Sequence, residues 1–166
     1  MPLPSCAGLA LVAPCLALVA CTGEPESTPP ITPGSSAVPR EVNIIASDYQ
    51  FVPPVVDLVP GETVLLHVID GGVTIHEAVI GDDRVQQAWE AAEAAVADNP
   101  PGPTPAVSVP PDVAGVRIVV DSGQRVDLLW TVPRDAAAMA WVVGCHIPGH
   151  WARGMWVPVR FVTPGT

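Results

Sequence analysis

The sequence contains no lysine: its seven basic residues are all arginines, set against 17 acids for a formal net charge of -10. That balance excludes nucleic acid as a partner, because such binding rests on neutralising phosphates with basic side chains. It suits an acidic domain that meets a basic partner. Aromatics are scarce, with one Tyr, two Phe and five Trp, so the 49% of hydrophobic residues comes chiefly from Ala and Val. The body of the chain has no apolar run long enough to span a bilayer, and no internal repeat. Of four cysteines, Cys6, Cys15 and Cys21 fall within the first 21 residues, leaving Cys145 alone in the body. A disulfide-stapled fold is therefore excluded for the body.

Residues 1–21 read as an export signal. Leu9 to Ala20 is almost wholly apolar, and Leu18-Val19-Ala20-Cys21 resembles a bacterial lipobox with Cys21 as the acylated residue. The absence of a basic residue before the apolar run departs from the usual signal, and an ordinary secretory signal is the alternative. Residues 22–40 are rich in Pro, Ser, Thr and Gly and are expected to form a flexible tether. A lone thiol in an exported domain needs a reason, and metal ligation supplies one.

From about residue 41 to the end, short β-type runs alternate with turn residues. The pattern predicts strands near 41–49, 55–59, 63–69, 74–80, 116–120, 124–131, 139–145 and 155–163. Eight such strands suggest an all-β Greek-key sandwich. Period-2 alternation puts Trp141, Val143 and Cys145 on one face, and Met155, Val157, Val159 and Phe161 on another. Residues 82–115 depart from this pattern and read as an insertion. Within it, 84–97 is a strong helix former with Asp82 and Asp83 before it, followed by a Pro-rich loop. Val85, Trp89 and Val96 would give that helix an apolar stripe covering a sheet edge or face.

The chemistry lies in Gly144-Cys-His-Ile-Pro-Gly-His-Trp-Ala-Arg-Gly-Met-Trp156, where Cys145, His150 and Met155 stand as C-x4-H-x4-M. An electron-transfer copper site wants a thiolate, two imidazoles and a weak axial thioether. A loop of this length between two strands can bring three of these together, with Pro148 and Gly149 setting the turn. His76, in an upstream strand, is the candidate for the second imidazole. Its competitor His67 shares a face with Thr63 and Leu65, and strand alternation assigns it to the surface. His146 follows Cys145 and should point the opposite way, to solvent or against another surface.

Residues 41–163, apart from 83–115, resemble the cupredoxins, the small type 1 blue copper proteins. The ligand loop is similar to that of the rusticyanin and auracyanin branches. Glu41-Val-Asn-Ile-Ile-Ala, Phe51-Val-Pro-Pro, Pro60-Gly-Glu-Thr-Val and Ile75-His-Glu-Ala-Val-Ile-Gly-Asp82 carry the resemblance upstream. It implies one copper ion held at one end of the sandwich and cycling between Cu(II) and Cu(I). A multicopper oxidase is excluded, since Gly144 precedes the cysteine and four histidines cannot supply a trinuclear cluster as well.

Two neighbours are expected to tune the ion. Glu77 follows the first histidine, where the family commonly has Asn or Ser; its backbone N–H would donate to the sulfur, and its carboxylate would favour Cu(II). Pro148 has no N–H to offer the sulfur. Ile147, Pro148 and Trp151 would form an apolar docking rim around the solvent-facing edge of His150; Trp151 packing inward as loop support is the alternative. The expectation is a membrane-tethered, monomeric, non-enzymatic carrier of single electrons between extracytoplasmic redox proteins. Secretion or a periplasmic location, and copper delivery in place of electron transfer, are the alternatives.

Overall fold

The computed structural model describes residues 30–97 and 107–165. The export signal, Cys21, residues 22–29 of the tether and residues 98–106 of the insertion lie outside the described residues.

Among the described residues, nine strands form two sheets: β1 (Arg40–Ser47), β2 (Gln50–Val52), β3 (Val56–Leu58), β4 (Thr63–Asp70), β5 (His76–Asp82), β6 (Val116–Val120), β7 (Arg125–Thr131), β8 (Trp141–Gly144) and β9 (Trp156–Phe161). One sheet has the order β2-β1-β4-β7, the other β3-β9-β8-β5-β6. The ninth strand arises because the expected strand at 41–49 turns back after Ser47, pairing Ser47 with Gln50 and Ile45 with Val52. Both sheets are mixed, since β1 runs parallel to β4 and β3 parallel to β9. Val42, Ile44, Leu66, Val68, Ile80, Val143, Val157 and their neighbours fill the space between the sheets. Burying such aliphatic side chains is worth about 1.5–3 kcal/mol each, which makes this layer the main source of stability.

The expected helix is present as α1 (Asp83–Ala94), with the Asp82 side chain accepting the Val85 N–H at its start. That cap satisfies one of the unpaired donors of the first turn. Val85 and Trp89 are buried against Val79 of β5, so the helix covers the outer face of the second sheet. Val96 lies beyond the helix and is only half-buried. Gly81 permits the close approach, for a Cβ there would sit 2.7 Å from Val85. The buried stripe also carries Gln86 and Glu93. Gln86 donates to the carbonyls of Val79, Gly81 and Val142. Arg117 of β6 bridges Glu77 and Glu93 while lying 4.5 Å over the Trp89 ring.

At the opposite flank, Glu62 is buried and accepts from Arg40 Nε at 2.8 Å and from the Val59 N–H at 2.8 Å. Burial opposes its ionisation, but the hydrogen bonds from Arg40 and Val59 outweigh it and hold the carboxyl below its ordinary value. A depressed carboxyl contributes stability that is present above the unfolded value and lost as pH falls through the folded one. Glu62→Gln should therefore cost about 2 kcal/mol at neutral pH. Wild type and variant should converge in guanidinium denaturation below the ordinary value of 4.5. An equal gap at pH 7 and pH 3 would remove the ionised form from this account.

Candidate metal centre

The β8–β9 ladder delivers two of the candidate ligands together. Gly144 pairs with Trp156, and the next rung is the Cys145 N–H donating to the Met155 carbonyl at 3.1 Å. Between them the chain folds back on itself. The His150 N–H donates to Ile147 O at 2.9 Å, and the His150 carbonyl accepts from Arg153 and Met155 at 3.1 and 3.2 Å. Gly154, at φ 87°, supplies the left-handed residue that lets the chain re-enter β9. His76 opens β5, which pairs with β8 through Val79 and Gly144 and so starts beside the loop.

Cys145 Sγ lies 3.3 Å from His150 Nδ1, and the His76 and His150 rings are 5.1 Å apart. Cys145, Met155 and His76 are fully buried, and His150 is 7% exposed. Burial pushes the Cys145 thiol up to about 12, against hydrogen bonds from the backbone N–H groups of Glu77 and Ile147 that favour the thiolate. Burial lowers His150 from its ordinary value, and the neighbouring His76 adds to that. A low imidazole value keeps a lone pair free for a metal.

The His76 ring is held by carboxylates that the sequence reading did not single out. Its Nδ1 is 3.0 Å from Asp70 Oδ2, and its Nε2 is 3.3 Å from Asp48 Oδ1 but out of hydrogen-bonding alignment. Nε2 of His76 is the one buried side-chain nitrogen or oxygen atom without a hydrogen-bond partner among the described residues. Such an atom calls for an explanation, and a missing ion is one. Asp70 was legible: it follows Val64, Leu66 and Val68 on the inward parity of β4, where an acid has no place without a partner. Asp48 sits in the β1–β2 turn, where alternation gives no signal; the Val73 N–H and, against burial, the Thr74 hydroxyl hold its carboxyl below the ordinary value.

No three His, Cys, Asp or Glu side chains among the described residues close on one point by themselves. The fourth expected donor, the Met155 thioether, is not of those residue types. The donor set fits a soft, thiolate-seeking ion: a buried thiol, two adjacent imidazoles with one nitrogen orphaned, and a buried methionine at the end of the same loop.

Several expected roles change in place. Glu77 is fully buried but faces α1, pairing with Arg117 Nε at 2.6 Å and accepting the His146 N–H at 3.0 Å. Its carboxylate is thus compensated, and Asp70 and Asp48 are the acids at the candidate ligand. His146 turns from the core as alternation requires and lies against another surface, α1, the second of its two expected places. It is 2% exposed, with Nδ1 at 2.8 Å from Glu90 and Nε2 at 2.7 Å from Gln86. His67 lies on the outer face as expected, yet it is 5% exposed rather than a surface residue, with Nδ1 2.7 Å from Asp127 across the sheet. Trp151 stacks on His146 and packs against α1, whereas the ring beside His150 is Tyr49, edge-on at 4.9 Å with Arg153 above it. Ile147 packs on the core, and Pro148 is exposed.

Solved structures similar to this one include auracyanins and an azurin. Auracyanin B matches 82% of this chain and 96% of its own, with a TM-score of 0.58 and 18% identity. Dithionite-reduced auracyanin from Roseiflexus castenholzii matches 78% and 100%, with a TM-score of 0.57 and 20% identity. An azurin from Methylomonas sp. strain J matches 75% and 98%, with a TM-score of 0.55 and 14% identity. The chain thus has the cupredoxin fold, as an all-β sandwich with a helical insertion. No protein-family model and no curated protein sequence matches it.

The raised thiol value gives a direct test on the metal-free protein. The peptide carrying Cys145 should stay unmodified by iodoacetamide at pH 8 and be modified fully in guanidinium, as read by mass spectrometry. Rapid modification in buffer would mean that the thiol is neither buried nor protonated.

Proposed function

We propose that this chain holds one copper ion between Cys145, His76, His150 and Met155, and carries single electrons between extracytoplasmic redox proteins. The observation that carries this reading is the buried thiol 3.3 Å from one imidazole, beside a second imidazole with an orphaned nitrogen. When bound, the ion supplies a centre that alternates between Cu(II) and Cu(I). The chain does the rest. Cys145 must give up its proton on binding, and the Glu77 and Ile147 amides then stabilise the sulfur's charge. Asp70 fixes the His76 ring from a fully buried position, itself anchored by the Gly72 N–H at 2.7 Å. The core around Met155 excludes water, so four donors leave no open position for a substrate. That makes the protein a carrier rather than an enzyme.

The lipobox ending at Cys21 and the residues 22–40 tether support a membrane-anchored location on the outer side of a bacterial cell membrane. Among the described residues no helix is long and apolar enough to cross a membrane. The redox partners would be larger proteins with basic docking faces, given the net charge of -10.

Loading with Cu(II) should give one ion per chain and an intense blue band that ascorbate bleaches. Cys145→Ser should abolish the band while leaving the circular dichroism unchanged. A colourless complex that exchanges Cu(I) would favour copper delivery, and absence of uptake would sink both readings. Asp70→Asn should raise the midpoint potential, because an anionic partner makes the imidazole a stronger donor to Cu(II). A constant or lowered potential in voltammetry would take Asp70 out of the tuning.

A further inference from the structure

The direct way out of the site is largely covered. His150 is 7% exposed, with Tyr49 edge-on to its ring and Arg153 lying 4.3 Å over Tyr49. A second way out is built from stacked rings. His146, bonded through the backbone to Cys145, stacks on Trp151 at 4.8 Å and 20°. Trp151 in turn stacks on Trp156 at 6.2 Å and 29°. Trp156 is 47% exposed and is the one large aromatic among the exposed hydrophobics of the described residues.

The stack is held in place by specific contacts. Glu90 and Gln86 of α1 fix both nitrogens of His146. Gly144 lets Trp151 lie flat on the sheet, because a Cβ there would come within 2.6 Å of the indole and 2.7 Å of Gln86. Two adjoining clefts open on the array. They share Asp83, Gln86 and Trp151; Glu90 and His146 line one, and Trp156 with Val142 lines the other. Asp83 and Glu90 are exposed acids, and His146 is the only basic side chain lining either cleft.

We propose that His146, Trp151 and Trp156 form a second electron port, docked by a basic one-electron redox protein seated on the Asp83–Glu90 side of α1. This rests on the copper reading. One electron passes from the reduced partner through the stack to the Cys145 sulfur and turns Cu(II) into Cu(I), leaving the partner oxidised by one. No bond forms or breaks, no proton moves, and the rings serve as a coupling path without themselves being oxidised. The ring centroids lie 4.8 and 6.2 Å apart, so the path from the residue after Cys145 to the exposed Trp156 is made of short steps. The acids supply the steering that favours a cationic partner. The helical insertion thereby has a use beyond covering the sheet: it orients the first ring and supplies the charge.

The surface is tested first without copper. The redox-inert cation hexaamminecobalt(III) is titrated into the 15N-labelled metal-free protein. The Trp151 and Trp156 indole signals and the amides of Asp83 and Glu90 should shift; shifts confined to Tyr49, His150 and Arg153 would overturn the docking site. The copper-loaded protein is then reduced by hexaammineruthenium(II) and, separately, by the anionic hexacyanoferrate(II). Trp156→Leu and Trp151→Leu should each slow the cationic reagent severalfold, with the visible band and potential unchanged and the anionic reagent unaffected. Equal rates in wild type and both variants would overturn the port. A protein that takes up no copper sinks the electron-carrier reading instead, a different outcome from a blue protein with unaltered rates.

Discussion

The hydrogen bond from the Cys145 N–H to the Met155 carbonyl is the constraint on which the site depends. It extends the β8–β9 ladder one rung past its last strand pair, so the cysteine and methionine leave the sandwich side by side. The intervening loop is then too short to wander. Its own bonds, from His150 to Ile147 and from Arg153 and Met155 back to His150, place the imidazole over the sulfur. A backbone ladder is a rigid support, and donor positions built on it need little reorganisation. His76 comes from β5, the neighbour of β8, and so is positioned by the same sheet.

A second constraint runs from the site outward through the other face of that sheet. Glu77 and His146 each follow a candidate ligand, so strand alternation turns both toward α1. There Glu77 meets Arg117 and the His146 amide, while His146 meets Gln86 and Glu90. Buried charges of this kind are tolerated only where each finds a partner. Arg117 serves two acids at once, and burial together with the charge of Glu77 raises Glu93 above its ordinary value. The helix is therefore tied to the strands that carry the candidate ligands by polar contacts as much as by Val85 and Trp89.

The acids beside His76 differ from the expected one for a physical reason. Proximity in sequence to His76 suggested Glu77, but the period of two sends adjacent side chains to opposite faces. Asp70, six positions upstream, reaches the ring because it ends the inward row of β4 and the chain turns back at Gly71 and Gly72. Trp151 shows the same effect in a loop. Adjacent to His150 in sequence, it was expected at the docking rim or packed inward as loop support. The 3-10 turn at Trp151–Arg153 instead directs its ring to His146 and Trp156.

Much of the fold was determined by the sequence itself. Period-2 alternation and turn residues located the strands, because a half-buried strand must alternate; composition and the Asp82 cap located the helix. The loop spacing of Cys145, His150 and Met155 made their proximity a local matter, settled within one stretch of chain. Only the tertiary structure decided what meets His76, because Asp70 and Asp48 come from other strands and turns. It also decided that His146 lies against α1 rather than in solvent, and that His67 is buried beside Asp127 of the neighbouring strand. The rings of His146, Trp151 and Trp156 lie in that same stretch, each one position after a candidate ligand, but only the tertiary structure brings α1 over them, where Gln86 and Glu90 hold the first ring.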